Sequence, residues 1–173
     1  MQELDYLNET CILLDRNDKA IGSASKADCH RVEKDGKAKL HRGVSVILFN
    51  MNGDMLLQRR SKYKLTYPSL FANTCCSHPL YNIKEEREEK DQLGVRRAAR
   101  RKLNQELGIP MDQIQLENFN YITRFYMHSS ENGRGEHEIG YGFILQKDVD
   151  INPNPSEIDE VRYIKHENFQ RCN

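Results

Sequence analysis

Apolar and polar positions along this chain fall mostly into short strand-like runs separated by turn residues, with one long helical segment in the middle. Cys11-Ile12-Leu13-Leu14 is an apolar run, and Arg16-Asn17-Asp18 turns the chain into Ala20-Ile21-Gly22, which predicts a hairpin. Val44 to Phe49 reads as a buried strand. Asn50 to Asp54 is a turn and Met55 to Arg59 returns as the next strand. Phe71 to Cys76 predicts a further strand, Phe119 to Met127 and Glu138 to Gln146 two strands around the polar turn Ser129 to Gly133, and Val161 to Ile164 a last short one. Asp91 to Leu107 is the clearest helix: Asp91 is placed to cap its start, Gly108 to close it in the left-handed conformation, and Pro110 bars continuation. The order predicts one mixed α/β domain over residues 1–173, without repeats or linkers.

Composition narrows the classes. The 173 residues carry 26 Lys plus Arg and 26 Asp plus Glu, so a net charge of zero gives no bulk attraction to nucleic acid or membranes. No apolar run approaches the roughly 18 residues of a membrane-spanning helix. The acidic start Met1-Gln2-Glu3 does not read as a secretory signal, and the end Arg171-Cys172-Asn173 matches no targeting or prenylation signal. Cys11, Cys29, Cys75, Cys76 and Cys172 are odd in number and lack scaffold spacing, which predicts a reduced, cytoplasmic protein.

Two segments carry candidate chemistry: Cys75-Cys76-Ser77-His78-Pro79 and Gly135-Glu136-His137-Glu138-Ile139. Residues two apart in a strand share a face, so Cys76 with His78, and Glu136 with Glu138, are expected to project together. With His30 and His41, which flank the polar loop Arg31 to Leu40, they make a set of three histidines and two carboxylates suited to Zn²⁺ or Mn²⁺. The predicted helix is basic from Arg96 to Lys102, and Glu106 near its end is the odd acid. It is a candidate for a cation that also binds phosphate oxygens.

Arg101, Leu103, Glu106, Gly108 and Ile109 resemble the Nudix box, but Lys102 and Gln105 stand where a Nudix hydrolase normally has glutamates. The wider pattern closely resembles the type I isopentenyl-diphosphate isomerase family, a Nudix-fold family, in its eukaryotic branch. The resemblance rests on Cys29-His30, Leu40-His41-Arg42, Arg59-Arg60 with Lys64, and Asn73-Thr74-Cys75-Cys76-Ser77-His78-Pro79-Leu80. It continues through Leu93 to Ala99, Glu106 to Pro110, Gly135 to Ile139 and Asn152-Pro153-Asn154-Pro155. It implies an α/β Nudix fold of mixed β-sheets packed with a central Nudix-box helix.

The resemblance also implies an activity: moving the double bond between isopentenyl and dimethylallyl diphosphate by adding one proton and removing another. Cys76 and Glu138 take the positions of the family's proton carriers, Tyr126 that of the tyrosine assisting the glutamate. His30, His41, His78, Glu136 and Glu138 match its metal ligands; Glu106 matches the ligand of a Mg²⁺ shared with the substrate diphosphate. Lys26, Arg60, Lys64 and Lys102 match its diphosphate-binding cations, Lys102 in place of the usual arginine. The expected partner is a small isoprenoid diphosphate, with no nucleic acid and no membrane span, in a monomer or weak homo-oligomer; family analogy adds the peroxisome as an alternative compartment.

Arg134 stands where the family has Trp, Gly140 where it commonly has an acid, and Ser69 where it has Gly. The family also continues beyond the last strand into helices with a Thr-Pro-Trp segment over the substrate, whereas this sequence ends at Asn173 and contains no Trp. That leaves, beside the isomerase, an impaired or non-catalytic paralogue that binds metal or diphosphate, and a Nudix diphosphohydrolase as the third reading.

Overall fold

The computed structural model describes residues 9–64, 66–165 and 167–168, so the expectations that concern the chain ends and Cys172 lie outside the described residues. Strands β1 (Thr10–Leu14) and β2 (Ala20–Ser25) are followed by a single helical turn, α1 (Lys26–Cys29). Then come β3 (His41–Phe49), β4 (Met55–Arg60), β5 (Phe71–Ala72) and β6 (Cys75–Ser77). The long helix α2 (Leu93–Leu107) precedes β7 (Asn120–Glu131), β8 (Arg134–Gln146) and β9 (Ile158–Ile164). This is a mixed α/β fold, and its residues gather into two compact units.

The first unit comprises residues up to Val44, His78–Ala98 and Thr123–Tyr141. Its β1–β2 hairpin is the one the turn residues predict, with Thr10 opposite Ser25, Ile12 opposite Ser23, and a register shift between Leu13 and Leu14. β3 starts at His41, three residues before the apolar run, because His41 pairs with Leu13 of β1. Ile12, Leu14 and Ile139 form a buried apolar cluster with Leu40 against it.

A buried ionic knot ties this unit together. Asp18, in the hairpin turn, accepts from Arg42 Nη2 at 3.1 Å, Arg124 Nη1 at 2.8 Å and the Tyr141 hydroxyl at 2.5 Å. Arg42 also donates to the Asp18 carbonyl and to Glu89. Burial, with Asp18 beside it, pushes the Tyr141 hydroxyl up to about 12, so it stays a proton donor.

The second unit comprises Ser45–Ser77, Ala99–Ile122 and the residues from Gly142 on. Phe49 pairs with Met55 around the Asn50 turn, where Asn50 Oδ1 accepts from the N–H of Asn52 and Asp54. β9 lies antiparallel to β4 from Met55–Ile164 to Arg60–Ile158, so it begins three residues earlier than expected. The expected strand over Phe71 to Cys76 is instead two short pieces, β5 and β6, broken at Asn73-Thr74. Thr74 is buried there because its hydroxyl accepts from the Leu48 N–H at 2.8 Å and donates to the Leu56 carbonyl at 2.7 Å.

Helix α2 buries Val95, Ala98, Ala99, Lys102, Leu103, Glu106 and Leu107, a stripe at the i, i+3, i+4 spacing of one helix face. Burying a Val or Leu side chain contributes roughly 1.5–3 kcal/mol, so Val95, Leu103 and Leu107 dock this face and carry Lys102 and Glu106 inward at a cost. Gly108 adopts φ 66° and closes the helix as expected. The Asn152-Pro153-Asn154 segment completes the end: the N–H groups of Asn152 and Asn154 donate to the carbonyls of Leu107 and Glu106 at 2.8 and 2.9 Å.

The helix start corrects the sequence reading. Asp91 is no N-cap; it lies at φ 52° in the turn before Leu93, and the Gly94 N–H donates instead to the Glu88 carbonyl at 2.8 Å. The preceding loop supplies by backbone what a capping side chain would have supplied.

Two stability outcomes follow. Asp18→Ala removes the buried carboxylate on which Arg42, Arg124 and Tyr141 converge, leaving Arg42 only the residue-18 carbonyl and Glu89, and should cost about 3–5 kcal/mol in urea denaturation. Ser69 sits at φ 62° where a left-handed conformation favours glycine, so Ser69→Gly should stabilise by about 1 kcal/mol, a rise in melting temperature of about 2–4 °C.

Candidate active site

Three histidines converge in the first unit from separate elements. His30 ends α1, His41 opens β3, and His78 follows β6 directly. Their ring centroids lie 4.8–4.9 Å apart, and all three are buried. Backbone carbonyls aim two of them: His30 Nδ1 meets the Lys26 carbonyl at 2.7 Å and His41 Nδ1 the Lys39 carbonyl at 2.7 Å. These carbonyls accept, so each Nδ1 carries a proton, and in the neutral ring each Nε2 faces the cluster as a lone pair.

The two carboxylates come from one strand, as the spacing predicts. Glu136 Oε2 lies 2.9 Å from His30 Nε2 and 3.9 Å from His78 Nε2. Glu138 Oε1 lies 2.6 Å from His78 Nε2 and 3.6 Å from His41 Nε2. Gly43 gives Glu138 its room: a Cβ there would stand 2.2 Å from Glu138 Oε2.

This donor set fits a divalent metal. Two ligands bonded to one ion at about 2.0–2.2 Å cannot lie more than about 4.4 Å apart. The ligand atoms of His30, His41, His78 and Glu136 are all within 4.8 Å of one another, so small side-chain adjustments close the set. His41 Nε2 is buried with no hydrogen-bond partner among the described residues, an unsatisfied lone pair aimed into the cluster. Burial and the neighbouring imidazoles push His78 well below the usual histidine value, which keeps it in the neutral, ligating form. For His41, burial opposes the charge, but the Glu138 carboxylate 3.6 Å away outweighs it and raises the value, so without a cation the inward Nε2 attracts a proton that a bound metal would displace.

The adjacent cysteines divide as strand alternation requires. Cys75 is fully buried, and burial together with Glu106 holds its thiol well above the usual range, so it is an inert core residue. Cys76 is exposed, its Sγ 2.9 Å from Asn73 Oδ1 and 3.5 Å from Ser45 Oγ. Asn73 is itself pinned, its Nδ2 donating to the Val46 carbonyl at 2.8 Å and to Ser45 Oγ at 3.0 Å. Asn73 is thus an orienting residue that the motif contained but residue type alone did not reveal. The strand β6 ends at Ser77, so the expected shared face of Cys76 and His78 does not carry over.

Tyr126 departs from expectation. Its hydroxyl meets His137 Nε2 at 2.7 Å rather than Glu138, and the ring is largely exposed. Alternation along β8 is the reason: Glu136 and Glu138 face the histidines, so His137 faces the other way and takes Tyr126 with it. Gly140, where the resembled family commonly has an acid, lies under the Phe125 ring, 2.3 Å from where its Cβ would stand.

Each cation expected at the diphosphate has an intramolecular partner. Lys26 is buried and pairs with Glu9 at 3.1 Å. Arg60 donates to the carbonyls of Thr66 and Tyr67, fixing its own loop. Lys64 pairs with Glu157, and Lys102 lies 3.4 Å from Glu106 on the buried stripe of α2.

A NUDIX domain model matches residues 39–172. Among solved structures, a protein from Deinococcus radiodurans superposes with a TM-score of 0.63 over 92% of this chain and 85% of its own, at 18% identity. A NUDIX hydrolase from Alicyclobacillus acidocaldarius does so with 0.57 over 76% and 83%, at 11% identity. These likenesses establish the fold: a Nudix domain, here with a buried histidine–glutamate cluster.

Closer relatives narrow the class. The chain is 46% identical over 170 residues to isopentenyl-diphosphate Delta-isomerase 1 of Bos taurus, covering 98% of this chain and 74% of that protein. It is 46% identical over 168 residues to isopentenyl-diphosphate delta-isomerase 2 of Homo sapiens, covering 96% and 73%. It is 42% identical over 181 residues to the enzyme of Aspergillus fumigatus, covering 98% and 65%. The chain belongs to the isopentenyl-diphosphate Δ-isomerase family of Nudix proteins.

Because Gly43 leaves room for Glu138, Gly43→Ala should displace that carboxylate from His78. We expect divalent-metal affinity, measured by calorimetric titration, to fall about 10–100-fold with little loss of thermal stability.

Proposed function

We propose that this protein interconverts isopentenyl and dimethylallyl diphosphate. The observation that carries the reading is the donor group of buried His30, His41 and His78 with the partly buried Glu136, with Glu138 2.6 Å from His78 beside it, in a chain 46% identical to a named isomerase of this kind. The reaction adds a proton to one end of the allyl system, whose π electrons form the new C–H bond. A second proton leaves the other end, and its C–H pair becomes the new double bond. An alkene is a feeble base, so the acid must be strong and water kept from the tertiary cation between the two steps.

We assign Glu138 as the protonating acid and Cys76 as the group that takes the second proton; the roles exchange in the reverse direction. His78, at 2.6 Å, holds the Glu138 carboxyl in place, and Asn73 orients the Cys76 thiol. A Zn²⁺ or Mn²⁺ on the histidine–glutamate set supplies positive charge that shifts a ligating carboxyl toward greater acidity. Glu106, with Mg²⁺, and Lys102 beside it are assigned to the substrate diphosphate, with Lys26, Arg60 and Lys64 as further cations. Their present partners, Glu9, Glu157 and the Thr66 and Tyr67 carbonyls, then act as alternates released on binding. Tyr126 bonds His137, so we give it no direct part in the proton transfer.

The hydrolase reading is disfavoured by the helix. Gln105 is exposed and bonds Arg101, and Lys102 takes a buried position, so Glu106 has no neighbouring carboxylate from those two sites to collect ions for water activation. No helix among the described residues is long and apolar enough to cross a membrane. We place the activity in the cytoplasm.

The decisive assay follows dimethylallyl diphosphate by NMR, with Mg²⁺ and with chelator. Turnover that stops on chelation, and a fall in kcat of about 10²–10⁴-fold in Cys76→Ala, are the expected results. Inorganic phosphate release in place of isomer formation would sink the reading in favour of a hydrolase. Binding without turnover would do so in favour of a non-catalytic paralogue.

A further inference from the structure

His137 sits between the two carboxylates of the centre in sequence, yet its side chain faces away from them and is engaged at both nitrogens. Nδ1 lies 2.6 Å from the Ala38 carbonyl and Nε2 2.7 Å from the Tyr126 hydroxyl. The carbonyl can only accept, so Nδ1 donates to it, and Nε2 accepts from the tyrosine. One imidazole thereby joins the strand that bears Glu136 and Glu138 to the segment just before His41.

The consequence lies one residue further along. The Lys39 carbonyl, next to Ala38, is the acceptor that holds His41 Nδ1 at 2.7 Å. His41 is fully buried, its Nε2 has no hydrogen bond among the described residues, and Glu138 Oε1 stands 3.6 Å away. The aim of this ring therefore depends on the orientation of the Lys39 carbonyl, and that depends on the peptide before it. Ala38 is buried, in a stretch (residues 36–40) that lies outside any helix or strand, so no strand ladder holds its carbonyl.

We propose that His137 is a positioning residue for the metal centre: by fixing the Ala38 carbonyl it sets the Lys39 carbonyl, and so the direction in which His41 offers its lone pair beside Glu138. The inference rests on reading the cluster as a metal centre, as proposed above. Outer hydrogen-bond partners of metal-binding histidines are commonly worth 10–100-fold in metal affinity. His137 is one step beyond such a partner, acting through the backbone.

The two nitrogens can be separated by substitution. Asparagine places an amide N–H near the position of Nδ1 and can keep the bond to Ala38. Glutamine reaches the position of Nε2 and can keep only the contact with Tyr126. The test is a Co²⁺ titration of the full chain and of His137→Ala, His137→Gln and His137→Asn, read by the visible d–d absorption of the bound ion. Thermal melts of each variant confirm folding.

We expect His137→Ala and His137→Gln to bind Co²⁺ about 10–100-fold more weakly with an altered spectrum, and His137→Asn to bind within about threefold of the unmutated protein. Should His137→Ala fail to fold, the Gln and Asn variants decide the matter. Unchanged affinity in His137→Gln, or affinity in His137→Asn as weak as in His137→Gln, overturns the proposal. Absence of Co²⁺ binding by the unmutated protein overturns the metal-centre reading and this inference with it, an outcome distinguished by appearing before any substitution.

Discussion

The first unit is arranged around one electrostatic constraint: two carboxylates on one face of β8 meet buried imidazoles, Glu138 removed from water and Glu136 largely so. A buried carboxylate needs donors or a cation. Three imidazoles meet this need only in part, because carbonyls fix the protons of His30 and His41 on the nitrogens that face outward. In the neutral rings the inward nitrogens of His30 and His41 are then acceptors facing carboxylate acceptors, and only a proton or a cation between them relieves the contact. Such a cluster is poorly satisfied by its own hydrogen bonds and well satisfied by a cation of charge two, which is the physical reason to read it as a metal centre rather than as a polar core.

The surrounding architecture keeps those five side chains where they are. Gly43 is required because Glu138 occupies the space of its Cβ, and the Asp18 knot holds Arg42, the residue between His41 and Gly43, from the hairpin turn. In the second unit the same economy applies to Glu106. Its helix is docked by leucine and valine, and the ends of that helix are completed by loop backbone: Glu88 at the start, Asn152 and Asn154 at the finish. The Asn152-Pro153-Asn154-Pro155 motif is therefore a helix clamp that fixes the carboxylate-bearing turn. The prolines, which lack N–H groups, alternate with the two asparagines whose N–H groups are used.

Much of this was legible in the sequence because it depends on local periodicity. The alternation of Glu136, His137 and Glu138 told which side chains share a face, the apolar run from Val44 marked β3, and Gly108 marked the end of α2. What was not legible depends on partners distant in sequence. Asp91 looks like a cap because caps are recognised by residue type, but a carbonyl at Glu88 took the role. The family resemblance, not any spacing rule, paired Tyr126 with Glu138. The register of the β7–β8 hairpin decides which face it joins, and that face carries His137. Asp18 gave no signal at all, since a turn aspartate is ordinary until Arg42, Arg124 and Tyr141 are seen to converge on it. The pairing of Lys26 with Glu9, and of Lys64 with Glu157, likewise joins residues that no spacing rule connects.

The departures from the family pattern are informative when set against the charges they leave. A Nudix helix that hydrolyses diphosphates concentrates carboxylates so that several cations collect around an attacking water. Here Glu106 has an ammonium as its buried neighbour, and Gln105 has turned outward to Arg101. Negative charge has been thinned at the helix and concentrated at β8, where it meets imidazole. A site of the first kind makes a nucleophile from water, while a site of the second kind makes a stronger acid of a carboxyl group. Protonating an unactivated double bond requires the latter and is damaged by the former, because a strong water nucleophile would capture the carbocation. On the proposed reading, the same fold changes its chemistry by moving carboxylates from the helix to a strand, and Lys102, Gln105, Glu136 and Glu138 are the residues of this chain in which that redistribution is carried.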